Sequence, residues 1–220
     1  MEDVGLLSIL WIGLFLGIKH AIEPDHVIAV STIASQSQRL LRSSLTGVFW
    51  GIGHTATLFI VGITIILLKG EIPEVWSMSL EFLVGIMLVY FGVASFMAKK
   101  HKDHEGAMNK QGNKEVSYGK SLFMGVIHGL AGSSAMIILT MSTVSSIWEG
   151  ALYIGIFGVG TVVGMLCFTT ILGIPFILSS RKATINRRFI QVTGIISAAF
   201  GVYYMYNLGI SEGLFKLWIS

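Results

Sequence analysis

Charge is scarce in this chain. Only 12% of its 220 residues are charged, while 53% are hydrophobic and the mean hydropathy is +0.76; soluble domains carry about twice that share of charge. A chain this short cannot hide so many apolar side chains from water on its own, so a soluble domain is excluded and lipid is the expected solvent. Cysteine is nearly absent. Cys167 stands alone in an apolar stretch, which excludes a disulfide framework within one chain and a cysteine-rich metal site. The net charge of +3 is spread over short loops, so no nucleic-acid partner is expected. The opening MEDVGLL has two acids and no basic residue, and the first apolar stretch is expected to be a retained span rather than a cleaved signal. H-E-x-x-H is missing, as is an ATP-binding P-loop, so the expectation is of no enzyme and no ATP-driven pump.

What is present is a series of long apolar windows. A bilayer core of about 30 Å needs roughly 20 apolar residues per helix, and six windows of that length fall near 5–34, 45–68, 79–98, 119–143, 150–178 and 189–209. The expected fold is therefore an all-α integral membrane protein with six transmembrane helices in one domain. Arg39 and Arg42, then Lys99, Lys100, Lys102, Lys110, Lys114 and Lys120, then Arg181, Lys182, Arg187 and Arg188 lie on one side. Lys69 and Lys216 lie on the other. The positive-inside rule then puts the loop 99–118 in the cytoplasm and both termini outside, in a bacterial inner or plasma membrane.

The two halves resemble each other. LFLGIKH at 14–20 matches LFMGVIH at 122–128, which overlays His20 on His128; FWGIG at 49–53 lies over IFGVG at 156–160, and FGV at 91–93 recurs at 200–202. The three offsets agree within two residues. Three helices is an odd number, so repeat 1 (about 5–98) and repeat 2 (about 119–209) are expected to insert with opposite topology, as inverted repeats with a site near midplane.

Ionisable groups at lipid depth cost several kcal/mol and signal function. The first window holds K-H-A-I-E-P-D-H, with Lys19, His20, Glu23, Asp25 and His26; His54 lies in the second and His128 in the fourth. Counted from the cytoplasmic ends of their spans, His26, His54 and His128 each lie about 14–15 Å deep at 1.5 Å per residue. Three imidazoles share one level. Pro24 lacks an N–H and clashes with the carbonyl four residues back, that of His20, so a break is expected that frees a carbonyl and re-aims the flanking side chains. Imidazole with carboxylate suits Ni, Co, Zn, Cu or Fe better than Mg or Ca, and protonation should release the ion. The expected ligands are His20, Asp25 and His26, with His54 and His128 as further ligands or supports; Glu23, Thr55, Thr57, Ser133 and Ser134 are expected to orient them. Lys19 is expected to pair with a nearby carboxylate, His101, Asp103 and His104 to form a solvated loop, and Met124, Met136 and Cys167 to serve packing. Gly47, Gly51, Gly53, Gly125, Gly129, Gly132, Gly160 and Gly164 would let helices approach closely.

KHAIEPDHVIAVST at 19–32 and FWGIGHTATLF at 49–59 resemble the H-x4-D-H and G-H-S/T signatures of the nickel/cobalt transporter family, most closely its short six-span UreH-like branch. The resemblance implies that His20, Asp25, His26 and His54 select and pass a divalent transition-metal ion. It covers the first 60 residues well and the remainder mainly through span pattern. Where larger members have an aspartate-containing signature in the second half, this chain has HGLAGSSA at 128–135, and His128 takes the corresponding role by position only. The leading expectation is a permease for Ni2+ or Co2+, carried as substrate with no prosthetic group. The alternative is a membrane-bound accessory protein that holds nickel for a metalloenzyme such as urease without transporting it. Partners expected are the metal ion and the bilayer, with a second copy of the chain or a metalloenzyme maturation protein left open.

Overall fold

The computed structural model describes residues 2–35, 37, 39–68, 72–97, 117–132, 146–180 and 182–219. Eight α-helices are described: α1 (Glu2–His20), α2 (Pro24–Ala34), α3 (Leu40–Leu68), α4 (Glu74–Met97), α5 (Tyr118–Ala131), α6 (Ile147–Ser179), α7 (Ala183–Tyr206) and α8 (Leu214–Ile219), with a π-helical turn at Asn207–Ser211 between α7 and α8. Four segments are long and apolar enough to cross a membrane: Leu40–Leu68, Glu74–Met97, Ile147–Ser179 and Thr184–Ser211. The protein is a multi-pass integral membrane protein. Its outer surface agrees, since Phe15, Ile60, Tyr90, Phe123, Leu178 and Val202 all stand exposed, as side chains facing hydrocarbon should.

Local sequence explains the helix ends. Ser146 caps α6 by accepting from the backbone N–H of Glu149 at 3.2 Å, the S-x-x-E arrangement that satisfies an orphan donor. The first expected window is not one helix. It breaks at Ala21–Glu23, where Ile22 and Glu23 donate to Lys19 and His20 at 3.1 and 3.0 Å, and α2 restarts with Pro24 at its N-terminal end, the place where a missing N–H costs nothing. The carbonyl expected to be freed at His20 is thus taken by Glu23. Of the fourth window, α5 is described to Ala131; Ser133, Ser134 and Met136 lie outside the described residues, as do His101, Asp103 and His104.

Helices α3 and α6 pack together at the centre, α1 lies against α6, α5 against α3, and α4 against α7. Glycine makes each of these approaches possible. A Cβ at Gly17 would meet the carbonyl oxygen of Phe157, and one at Gly125 that of Trp50. Reciprocally, Gly160 faces the carbonyl of Leu14 and Gly53 that of Leu122. Between α4 and α7, Gly85 faces Gly201 and Gly92 faces Gly194. At the centre, Gly51 faces Val162 while Gly158 faces Thr55. Hydroxyls also join the helices: Thr55 donates to Gly158 at 3.2 Å, Thr161 to Gly17 at 3.3 Å and Ser197 to Leu88 at 2.9 Å. The core around Trp50, Leu88, Met124 and Met165 closes one side of the site.

Candidate metal centre

All five residues expected as ligands meet. The break after α1 aims His20 inward from the end of that helix, and the first turn of α2 supplies Asp25 and His26, the carboxylate resting at the electropositive helix start. His54 enters from α3 and His128 from the last turn of α5. His54, His26 and His128 are 0%, 1% and 2% exposed. Ring centroids of His20 and His26 lie 4.5 Å apart, those of His26 and His128 4.2 Å, and those of His20 and His54 5.1 Å.

Hydrogen bonds order this cluster into two triads. His128 Nε2 donates to Asp25 Oδ2 at 2.8 Å and His26 Nδ1 to Asp25 Oδ1 at 3.2 Å. His20 Nε2 and His54 Nε2 share a hydrogen bond of 3.1 Å, while His20 Nδ1 faces Glu23 Oε2 at 2.9 Å. Ligand atoms of His20, His26 and His54 lie within 4.8 Å of one another, and so do those of Asp25, His26 and His128. His26 belongs to both.

Buried polar atoms are normally satisfied, yet His26 Nε2, His54 Nδ1 and His128 Nδ1 have no hydrogen-bond partner among the described residues. Imidazole nitrogens in a cluster that also holds a carboxylate form a donor set suited to a borderline divalent cation. The contact of Glu23 with His20 Nδ1 orients that ring from behind, as carboxylates do for ligating histidines.

The supporting cast differs from expectation. Thr57 donates to Gly53 at 3.0 Å and Thr55 to Gly158, so both hydroxyls serve the backbone and neither orients a histidine. No ion pair of Lys19 is found among the described residues, because Glu23 faces His20 instead. Met124 is buried in the core as expected, whereas Cys167 is exposed on α6 and packs against no core.

A cavity of about 320 Å³ adjoins the cluster, lined by His20, Asp25, His26 and His128 and reaching Glu81 on α4 and Tyr204 on α7. Sequence reading missed these last two. The signal was a lone acid three residues inside the third apolar window, near enough to its edge to pass for a boundary residue.

Residues 29–203 match the family described as cytochrome C biogenesis protein transmembrane region, and the chain belongs to this family of membrane proteins. Among individual proteins it is 62% identical over 228 residues to the urease accessory protein UreH of Bacillus sp. (strain TB-90), with both chains covered in full. Two chloroplast proteins of Arabidopsis thaliana are more distant. FOR GROWTH AND FERTILITY 2 is 27% identical over 76% of this chain and 48% of its own, and FOR GROWTH AND FERTILITY 1 is 25% identical over 90% and 59%. None of these names is an enzyme's. No solved structure matches.

Proposed function

We propose that the chain is a permease for a divalent transition-metal ion, nickel or cobalt, which crosses as substrate through His20, Asp25, His26, His54 and His128. The observation that carries this reading is the gathering of four imidazoles and one carboxylate, their ligand atoms within 4.8 Å in each triad, with three buried ring nitrogens left without partners among the described residues. A cluster serving only to join helices would pair those atoms. The two triads sharing His26 give a cation two adjacent positions, which suits passage better than permanent storage. The motif resemblance to nickel/cobalt transporters supports the choice of ion, as does the urease accessory name of the Bacillus relative.

The architecture we infer is six spans in two inverted units, with α1 and α2 together forming the first span and α5 beginning the fourth. The glycine contacts favour it. Gly17 against Phe157 and Gly125 against Trp50 are one contact written twice, each residue 107 or 108 positions from its counterpart. Gly85 with Gly201 and Gly194 with Gly92 repeat at a spacing of 109. Such reciprocity is what two units related by an in-plane two-fold would produce, and rocking of one against the other would expose the site alternately. The basic loops put both termini on the outer face of a bacterial membrane.

Purified protein in sealed liposomes should accumulate labelled nickel in the interior, and His26→Ala, His54→Ala and Asp25→Asn should each abolish accumulation. Equal uptake by all three variants would refute the site. The relative's name also favours a second reading, an accessory protein that holds nickel for urease maturation; binding without accumulation in the same liposomes would select it.

A further inference from the structure

Beyond the histidines, the cavity continues along α4 and α7 to a carboxylate that the two triads do not use. Glu81 lies inside the membrane-spanning helix α4, half-buried, and Tyr204 Oη donates to its Oε2 at 3.1 Å. Both line the same cavity as Asp25 and His26. A carboxylate inside a spanning helix is costly to maintain, and the hydroxyls of Tyr204 and of Ser77, one turn back on α4, bond it without neutralising its charge. Something else justifies it.

The placement of charge suggests what. Glu81 shares one cavity with the carboxylates of Glu23 and Asp25. Glu81 and Asp25 are both half-buried, and Asp25 lies at the triads. The cavity wall carries Glu23, Asp25 and Glu81 against a single ammonium, that of Lys19. It also carries His26, almost fully buried, whose Nε2 has no partner. Under the inverted-repeat reading, the positions corresponding to Glu81 and Tyr204 at a spacing of 109 are Ile190 and Ser95. Only one of the two limbs has an acid here, so the pair is an addition to the repeat rather than a consequence of it.

We propose that Glu81 is a transit site at which a divalent cation entering the cavity is taken up and handed to Asp25 and the histidines. This deepens the permease reading and rests on it. Low-dielectric walls lined by one sign of charge raise the local concentration of the opposite ion and speed its arrival by about 10- to 1,000-fold, so removing this charge should act on rate more than on final affinity.

The test is stopped-flow association of Ni2+ with the purified full chain in lipid nanodiscs, alongside equilibrium binding and liposome uptake. Glu81→Gln should slow association about tenfold while equilibrium occupancy of the histidine cluster changes less than threefold. The association rate of the wild type should fall as salt is raised, and that of Glu81→Gln should be flatter. Glu81→Asp should restore most of the rate. Tyr204→Phe removes the hydrogen bond and keeps the charge, so it should stay within threefold of wild type. An unchanged rate in Glu81→Gln overturns the transit site, and so does an equal slowing in Tyr204→Phe, which would assign the effect to packing between α4 and α7. The permease reading fails separately, if wild-type protein binds nickel but liposomes do not fill; the association rates then still decide the role of Glu81. A wild type that binds no nickel overturns both.

Discussion

Asp25 and His128 lie 103 residues apart in sequence, in opposite halves of the chain, and are joined by a hydrogen bond of 2.8 Å. One carboxylate thereby ties α2 to α5 and, through His26, turns one edge of the cluster into a site. Charge-assisted bonds of this kind are roughly twice as strong as neutral ones. Asp25→Asn keeps the shape and removes the charge, and nickel affinity measured by equilibrium dialysis should fall by at least about 100-fold. An unchanged affinity would mean that the carboxylate braces helices and touches no ion.

Glu23 tests the support behind the ligands. It meets His20 Nδ1 at 2.9 Å while its own side chain is 48% exposed, so it contributes orientation and little packing. Glu23→Gln should weaken nickel binding about 10- to 100-fold, the usual cost of losing the group behind a ligating imidazole, with thermal stability close to wild type. A loss of stability without loss of affinity would reverse that assignment.

The glycine contacts give a prediction about the scaffold. A methyl group at Gly125 would press on the carbonyl of Trp50 and come within 2.9 Å of the backbone nitrogen of His54, whereas one at Gly155 would meet nothing within 4 Å. Overpacking of this kind costs about 1–3 kcal/mol. Gly125→Ala and Gly17→Ala should both lower the unfolding temperature in detergent, by similar amounts, and Gly155→Ala should leave it unchanged. Unequal effects at Gly17 and Gly125 would count against two equivalent units.

How much of this was written in the sequence depends on how strongly lipid penalises each group. The five proposed ligands were legible because several imidazoles beside a carboxylate at one membrane depth exceed what hydrogen bonding between helices requires, and the close approaches at Gly53, Gly125 and Gly160 were legible as small residues on apolar helices, whereas Gly17 was not singled out. Span number was legible only as hydropathy, and the break at Ala21–Glu23 shows why that falls short: a continuous apolar window says nothing about where the helix stops. Pro24 located the break correctly but not its hydrogen bonding, since the carbonyl of His20 finds Glu23. Glu81 escaped notice because window edges are uncertain by several residues, and Tyr204 because a phenol near a span end is ordinary in any membrane protein. Thr55 and Thr57 were misjudged for a simpler reason. A threonine hydroxyl on a helix reaches a backbone carbonyl more easily than a side chain on another helix.

His26 belongs to both triads, whereas His54 and His128 belong to one each, and this asymmetry sets their variants apart. His54→Ala leaves Asp25, His26 and His128 together, and His128→Ala leaves His20, His26 and His54. Each should still bind nickel, at an affinity lowered by about 10- to 100-fold, though neither should support uptake into liposomes, because passage needs both positions. His26→Ala removes one member from both triads at once, so binding itself should be lost. Combining His54→Ala with His128→Ala should reproduce the His26→Ala result, a coupling that a double-mutant cycle on calorimetric binding constants reads directly. If His26→Ala loses no more than His54→Ala, the two triads do not share a ligand, and the handing of the ion from one to the other is wrong.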